Sequence, residues 1–235
     1  MFFNYLKPIL EESTYIYMLF LRFKYFGKRK ETKIARKYFD LIIDGFPRSA
    51  NSYTTRLFKQ LEPRYHIGHH LHSVSHIIYG LKKSIPSIVL IRNPKDAIIS
   101  LAALDIIECY SGETKKFLRE NSLKWIIKKY IRFYKPLTNH VDKFLLVDFE
   151  VIINCPIRII KAFNNKFNLN FETDPEILKY FNNLIIRRAK SHLKPSYNRN
   201  QIKLELLNEI NSHDLTEYLN EANKIYNELL KINVK

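Results

Sequence analysis

Five histidines crowd the stretch "YHIGHHLHSVSH", and three of them stand in "HHLH", as His69, His70 and His72. A neutral imidazole takes up a proton near pH 7, so a residue from this cluster suits general-base work on a hydroxyl. Other readings of the same residues stay open. His72 and His76 are spaced i, i+4 and could hold a metal on one helix face, although no acidic or cysteine partner lies nearby in the sequence. Structural or solvated histidines are the remaining reading.

A second chemical signal lies upstream. The run "KYFDLII" leads into "DGFPRSANSYTT": an apolar segment, a glycine, a short polar turn and a helix-like pattern. That layout holds anions through backbone amides and the positive end of a helix. The ATP-binding form of such a loop is G-x-x-x-x-G-K-[ST]. Here Gly45 opens it and Ser52 fits its last position, but Ala50 and Asn51 stand where glycine and lysine belong. The next apolar run, "SIVLI", ends at Arg92, a cation where a magnesium-binding NTPase places an aspartate. Both substitutions argue against magnesium–ATP hydrolysis. Arg48 lies inside the loop, and Ser100 follows Arg92 by eight residues. An arginine fork with a hydroxyl can grip a second phosphate. A solvated loop cation, a strand-end salt bridge and a helix hydroxyl bonded to its own backbone are the plainer alternatives.

These residues need elements to carry them. "YFDLIID", "SIVLIR" and "KFLLVDFE" read as buried strands. "SYTTRLFKQL" reads as a helix that Ser49, Asn51 or Ser52 could cap, and "NPKDAIISLAAL" as a helix with Pro94 in its first turn. "KKFLRENSLKWIIKKYIRFYKPL" is a longer amphipathic helix expected to end before Pro136, and another helix opens at Pro156. From about Asp174 the chain reads as mostly helical, interrupted by the polar stretch "SHLKPSYNRN". Strands alternating with helices predict an α/β fold with a central parallel sheet covered on both faces. Ligands of such sheets bind beyond the carboxyl ends of the strands, where both candidate motifs fall.

The 235 residues suit one domain: a helical extension over 1–36, a nucleotide-binding core over 37–172 and a helical part over 173–235. A net charge of +16 favours anionic partners without choosing among them. Cys109 and Cys155 stand alone, which favours a reducing compartment and a cytoplasmic location. The segment "TYIYMLFLRFKYFGKRK" has an apolar run from Tyr15 to Leu21, followed by Arg22 and Lys24. It is too short to span a bilayer and has no small-residue cleavage site. It reads as a helix packed on the domain, or as a basic aromatic segment making peripheral contact with an anionic membrane.

The ordered set of motifs resembles the sulfotransferases that use 3′-phosphoadenosine-5′-phosphosulfate (PAPS). "GFPRSANSYTT" is similar to their 5′-phosphosulfate loop, "RNPKDAIIS" to their 3′-phosphate motif, and "LLVDFEVIINCP" to a later family segment. The match runs from about Tyr38 to Phe171. The resemblance implies a three-layer, P-loop NTPase-like sandwich with PAPS as sulfuryl donor and no metal. It implies that Arg48, Ser49, Ala50, Asn51, Ser52 and Tyr53 line the 5′ site, and that Arg92 and Ser100 hold the 3′-phosphate. Aligning "HL" with the family's "THLP" nominates His70 as base, with His72 in reserve. Arg48 takes the family's lysine position and would offset charge on the leaving phosphate. The implied acceptor is a hydroxyl compound: the basic charge leans toward an acidic glycan or lipid-linked sugar, and a small alcohol or phenol stays open. Ala50 departs from the family glycine, so its turn is expected to avoid left-handed backbone. The family's C-terminal Gly-rich motif is missing. The basic segment with Arg187, Arg188, Lys190, Lys194 and Arg199 could close the site instead. A nucleotide kinase, a basic nucleic-acid-binding protein and a sulfotransferase fold kept as a scaffold are the alternatives. No specific nucleic-acid-binding module is recognisable.

Overall fold

The computed structural model describes residues 13–28, 31–109, 115–176, 178–180, 183, 197–211 and 213–233. Its centre is a parallel sheet of β1 (Leu41–Gly45), β2 (Ile67–His69), β3 (Ser87–Ile91) and β4 (Leu145–Asp148), in the order β2-β1-β3-β4. β1, β3 and β4 are the three apolar runs read from the sequence. β2 was not foreseen, because a three-residue strand beside a histidine cluster is too short for a periodic signal.

Helices cover both faces. α1 (Thr14–Lys24) precedes the sheet. α2 (Asn51–Leu61) follows β1, and α3 (Val74–Lys82) follows β2. α4 (Pro94–Cys109) and α5 (Lys115–Tyr134) separate β3 from β4, and a 3-10 segment, Lys135–Lys143, carries the chain past Pro136. α6 (Phe149–Asn154) and α7 (Pro156–Phe167) follow β4, and α8 (Tyr197–Glu209) and α9 (His213–Asn233) close the described chain. Of the polar stretch expected to interrupt the C-terminal helices, residues 197–200 belong to α8, and residues 191–196 lie outside the described residues. Arg187, Arg188, Lys190 and Lys194 lie outside the described residues.

The pleat sorts the core into layers, because successive strand residues face opposite sides. Ile88 and Leu90 join Leu41, Ile43, Val147, Phe58 and Phe163 on one face. Val89 and Ile91 join Ile98, Ile127, Tyr130 and Leu219 on the other. Phe58 and Phe163 meet edge to face at 5.1 Å, which ties α2 to α7 across the first layer. Ile42 points into a third cluster with Tyr17, Met18 and Leu21 of α1. Gly45 is obligatory at the end of β1, because a Cβ there would run into the Leu90 carbonyl and side chain.

Candidate functional site: the loop after β1 and the histidine segment

β1 delivers the chain at the sheet's carboxyl edge with Asp44 and Gly45. Phe46 is then clamped by Tyr134 of α5, whose hydroxyl accepts from the Phe46 amide at 3.1 Å and donates to the Leu90 carbonyl at 2.7 Å. The turn that follows places Arg48 at φ 73° and Ala50 at φ 64°, ψ 22°, both left-handed. This corrects the expectation for Ala50. The turn requires that geometry to bring the chain from strand to helix, and alanine tolerates it at a cost of roughly 1–2 kcal/mol. Alternating backbone hands of this kind turn successive amides to one side.

The capping expectation also needs correction. The N-cap of α2 is Ala50, with no side-chain cap bond. Asn51 Nδ2 instead donates to the Phe46 carbonyl at 3.0 Å, closing the loop on itself. Ser52 pairs its hydroxyl with His70 Nε2 at 2.9 Å. The leading amides of α2 therefore keep no acceptor from a cap, and the helix start points its positive end out of the loop. Ser49 is buried beneath the turn, and burial pushes the Tyr53 phenol up to about 12.

Arg92 leaves β3 toward this loop. Its Nη1 donates to the Arg48 carbonyl at 3.1 Å, and its guanidinium lies 4.0 Å over the Phe149 ring. Its Nε is buried with no hydrogen-bond partner. Burial lowers its pKa, against the pull of Asp96, Glu150 and Asp148. Arg48 turns the other way, and its Nε donates to Ser100 Oγ at 3.0 Å. Ser100 is only 2% exposed. The two basic motifs, separate in sequence, thus form one cluster of Arg48, Arg92 and Ser100.

The histidine segment is wired to Asp44, a residue the sequence reading passed over. Asp44 is fully buried and accepts from the amides of Gly45 (3.0 Å), Leu71 (3.2 Å) and His72 (3.1 Å), and from His76 Nδ1 (3.2 Å). Burial alone would raise its pKa. The His76 hydrogen bond, the charges of His72 and His76, and the Gly45 amide overcome that and hold it below the usual carboxylate value. His76 Nε2 accepts the Ala35 amide at 3.0 Å, so both ring nitrogens are engaged. His72 precedes α3 and donates from Nδ1 to the Gly45 carbonyl at 2.7 Å. His72 and His76 therefore share no helix face, and the i, i+4 metal reading fails on geometry. Among the described residues, no group of three or more His, Cys, Asp or Glu side chains could hold a metal ion.

With the segment so anchored, His70 and His72 adopt φ 58° and 49°. His70 packs edge-on against His69 and bonds Ser52 at the first turn of α2. Burial first, then His72, Lys33 and Arg56, pull His70 down to about 4, against Asp44. Burial and the neighbouring His70 pull His69 down to about 3. Both rings are neutral at pH 7. The site joins a neutral imidazole, a helix start and an arginine cluster around one loop.

A structural likeness bears on this arrangement. The chain has the fold of a sulfotransferase. It superimposes on mouse sulfotransferase SULT7A1 complexed with PAP with a TM-score of 0.51 over 80% of this chain and 90% of that one, at 13% identity. At that identity the likeness concerns the fold alone. No protein-family model and no curated protein matches the chain by sequence.

Tyr134, Tyr130 and Phe149 were also missed as contributors. Tyr130 donates to the Arg92 carbonyl at 2.8 Å, fixing the strand end from which the arginine springs. For Asp44 a signal existed: it is the one charged residue in the buried run Leu41–Gly45. For the tyrosines there was none, since apolar helix faces routinely carry aromatic residues.

Proposed function

We propose that this protein is a PAPS-dependent sulfotransferase acting on a hydroxyl group. The observation that carries the reading is the Arg92–Arg48–Ser100 cluster beside the start of α2, with a neutral His70 bonded to Ser52 of that helix's first turn. The residues fit the donor. The buried, unpartnered Nε of Arg92 is a charged donor that a phosphate oxygen would satisfy. The fold shared with a sulfotransferase complexed with PAP supports the same reading.

A bound phosphosulfate would supply an electrophilic sulfuryl group on a phosphate leaving group. The loop amides from Arg48 to Tyr53 and the Ser52 hydroxyl orient that end. Arg92 and Ser100 hold the 3′-phosphate. His70 Nε2, now on Ser52, takes the proton of the acceptor hydroxyl as its oxygen bonds to sulfur. Arg48 offsets the negative charge that grows on the leaving oxygen. Asp44 keeps the histidine segment in register with the loop. Lys33 and Arg56, whose charges act on His70, favour an acceptor with negative charge of its own, such as an acidic glycan or a lipid-linked sugar.

Calorimetric titration with 3′-phosphoadenosine-5′-phosphate and with ATP, both in EDTA, tests the donor class. Preference for the bisphosphate is expected. Binding of ATP only when magnesium is added would replace this reading with a kinase-like one.

A further inference from the structure

α1 is apolar on two faces. Its inner face packs Tyr17, Met18 and Leu21 into the third core cluster. Its outer face carries Ile16, Leu19 and Phe23, and the line runs on to Phe26 just beyond the helix. These side chains are 55%, 64%, 86% and 79% exposed. Spacings of three and four residues set Ile16, Leu19 and Phe23 in one stripe of the helix, and Phe26 lines the same cleft as Phe23. Single exposed apolar residues are ordinary; a contiguous stripe with two phenylalanines marks a contact surface.

The surroundings are basic. Lys24 lies 5.7 Å from the Phe20 ring and 5.5 Å from that of Tyr25, and Lys82 lies 5.3 Å from that of Tyr15. Lys28 and Lys37 are exposed close by in the chain. A cleft of about 550 Å³ opens beside the stripe, lined by Arg22, Phe23, Phe26, Arg36, Lys37 and Tyr79 together with Glu31. Glu31 is neutralised by Arg36 at 2.7 Å. Arg22 donates to the Tyr79 hydroxyl at 3.2 Å, while its Nε is buried without a partner. None of the lining residues belongs to the loop or the histidine segment, so this surface is separate from the transferase site.

We propose that this face docks on an anionic lipid bilayer. Phe23 and Phe26 enter the boundary between headgroups and acyl chains, and the flanking lysines and Arg22 meet the acidic headgroups. Charge complementarity selects this occupant: aromatic side chains flanked by cations, with the cleft's acid, Glu31, already paired, suit an acidic lipid surface. The contact is peripheral. α1 is about 16 Å long, and no helix among the described residues is long and apolar enough to cross a membrane.

The test is flotation of the full chain with phosphatidylcholine vesicles, with and without phosphatidylserine, on wild type, Phe23→Ser/Phe26→Ser and Lys24→Glu/Lys28→Glu. All these positions are exposed, and matching thermal melts would confirm the fold. Wild type should bind the phosphatidylserine vesicles at least about tenfold better, and each double variant should lose about tenfold or more of that binding. Equal binding to both vesicle types overturns the proposal. So does full retention of binding by the Phe23→Ser/Phe26→Ser variant, which would move the contact elsewhere, for instance to residues 1–12. A dimer in sedimentation velocity that this variant abolishes, without vesicle binding, would assign the stripe to a second copy of the chain and likewise overturn it.

Discussion

Arg92 donates to the backbone carbonyl of Arg48 at 3.1 Å, so a residue at the end of β3 holds the loop that leaves β1. The side chain of Arg48 reaches Ser100 instead. The two arginines therefore have different duties.

Arg48→Ala should lower kcat by about 10²–10³ with little change in affinity for 3′-phosphoadenosine-5′-phosphate, because it acts on charge that develops during transfer. Arg92→Ala should weaken that affinity about 10–100-fold, since it removes a charge-assisted contact and loosens the loop. Calorimetry and steady-state kinetics on both variants check this. Lost binding with intact turnover in Arg48→Ala would contradict the assignment.

His70→Ala should cut turnover by about 10²–10⁴ while leaving bisphosphate binding intact. His72→Ala should cost less in chemistry, because its Nδ1 is committed to the Gly45 carbonyl. With His70 held near 4, the rate of the chemical step should be flat across neutral pH and fall only as the ring protonates. A limb near 6.5 would show that another group is the base.

The same lowered values predict how stability responds to acid. The unfolded chain protonates His69 and His70 near 6.5, whereas the folded chain resists until about 3 and about 4. Unfolding then takes up protons in that window, so stability falls as pH drops below 6.5 and is fully present above it. Thermal melts from neutral pH downward should show this slope, and the double variant His69→Gln/His70→Gln should flatten it.

Asp44→Ala should cost about 3–5 kcal/mol in urea unfolding, the usual loss when a buried, hydrogen-bonded charge is removed from its partners. Asp44→Asn should cost less, yet still impair turnover by loosening the Leu71 and His72 amides. Stability unchanged in Asp44→Ala would mean that the histidine segment is held by something else.

Ala50→Gly should stabilise the protein by about 0.5–1 kcal/mol, because relief of the left-handed alanine outweighs the added freedom of the unfolded chain. Denaturant midpoints decide it, and a destabilised variant would place the turn in another conformation.

Much of this molecule was legible as a string of residues. Short apolar runs closed by Gly45, Arg92 and Asp148 announce parallel strands, since burial on both faces leaves no room for alternation. The eight-residue step from Arg92 to Ser100 follows from a strand end passing into a helix that opens at Pro94. Local chemistry of this kind depends on neighbours in the chain. The backbone hand of Ala50 does not: it follows from where β1 and α2 must meet, and it overrode the steric preference of the residue itself. The anchoring of His76 by Asp44 spans 32 residues and the clamp of Tyr134 on Phe46 spans 88, so neither leaves a pattern in composition or spacing. Residue types along the chain determined a loop of the kind whose amides and arginines suit an anion, with imidazoles nearby in the sequence. Only packing decided that one imidazole would be half-buried, neutral and bonded to the first turn of α2, because burial and partner geometry belong to contacts between distant segments.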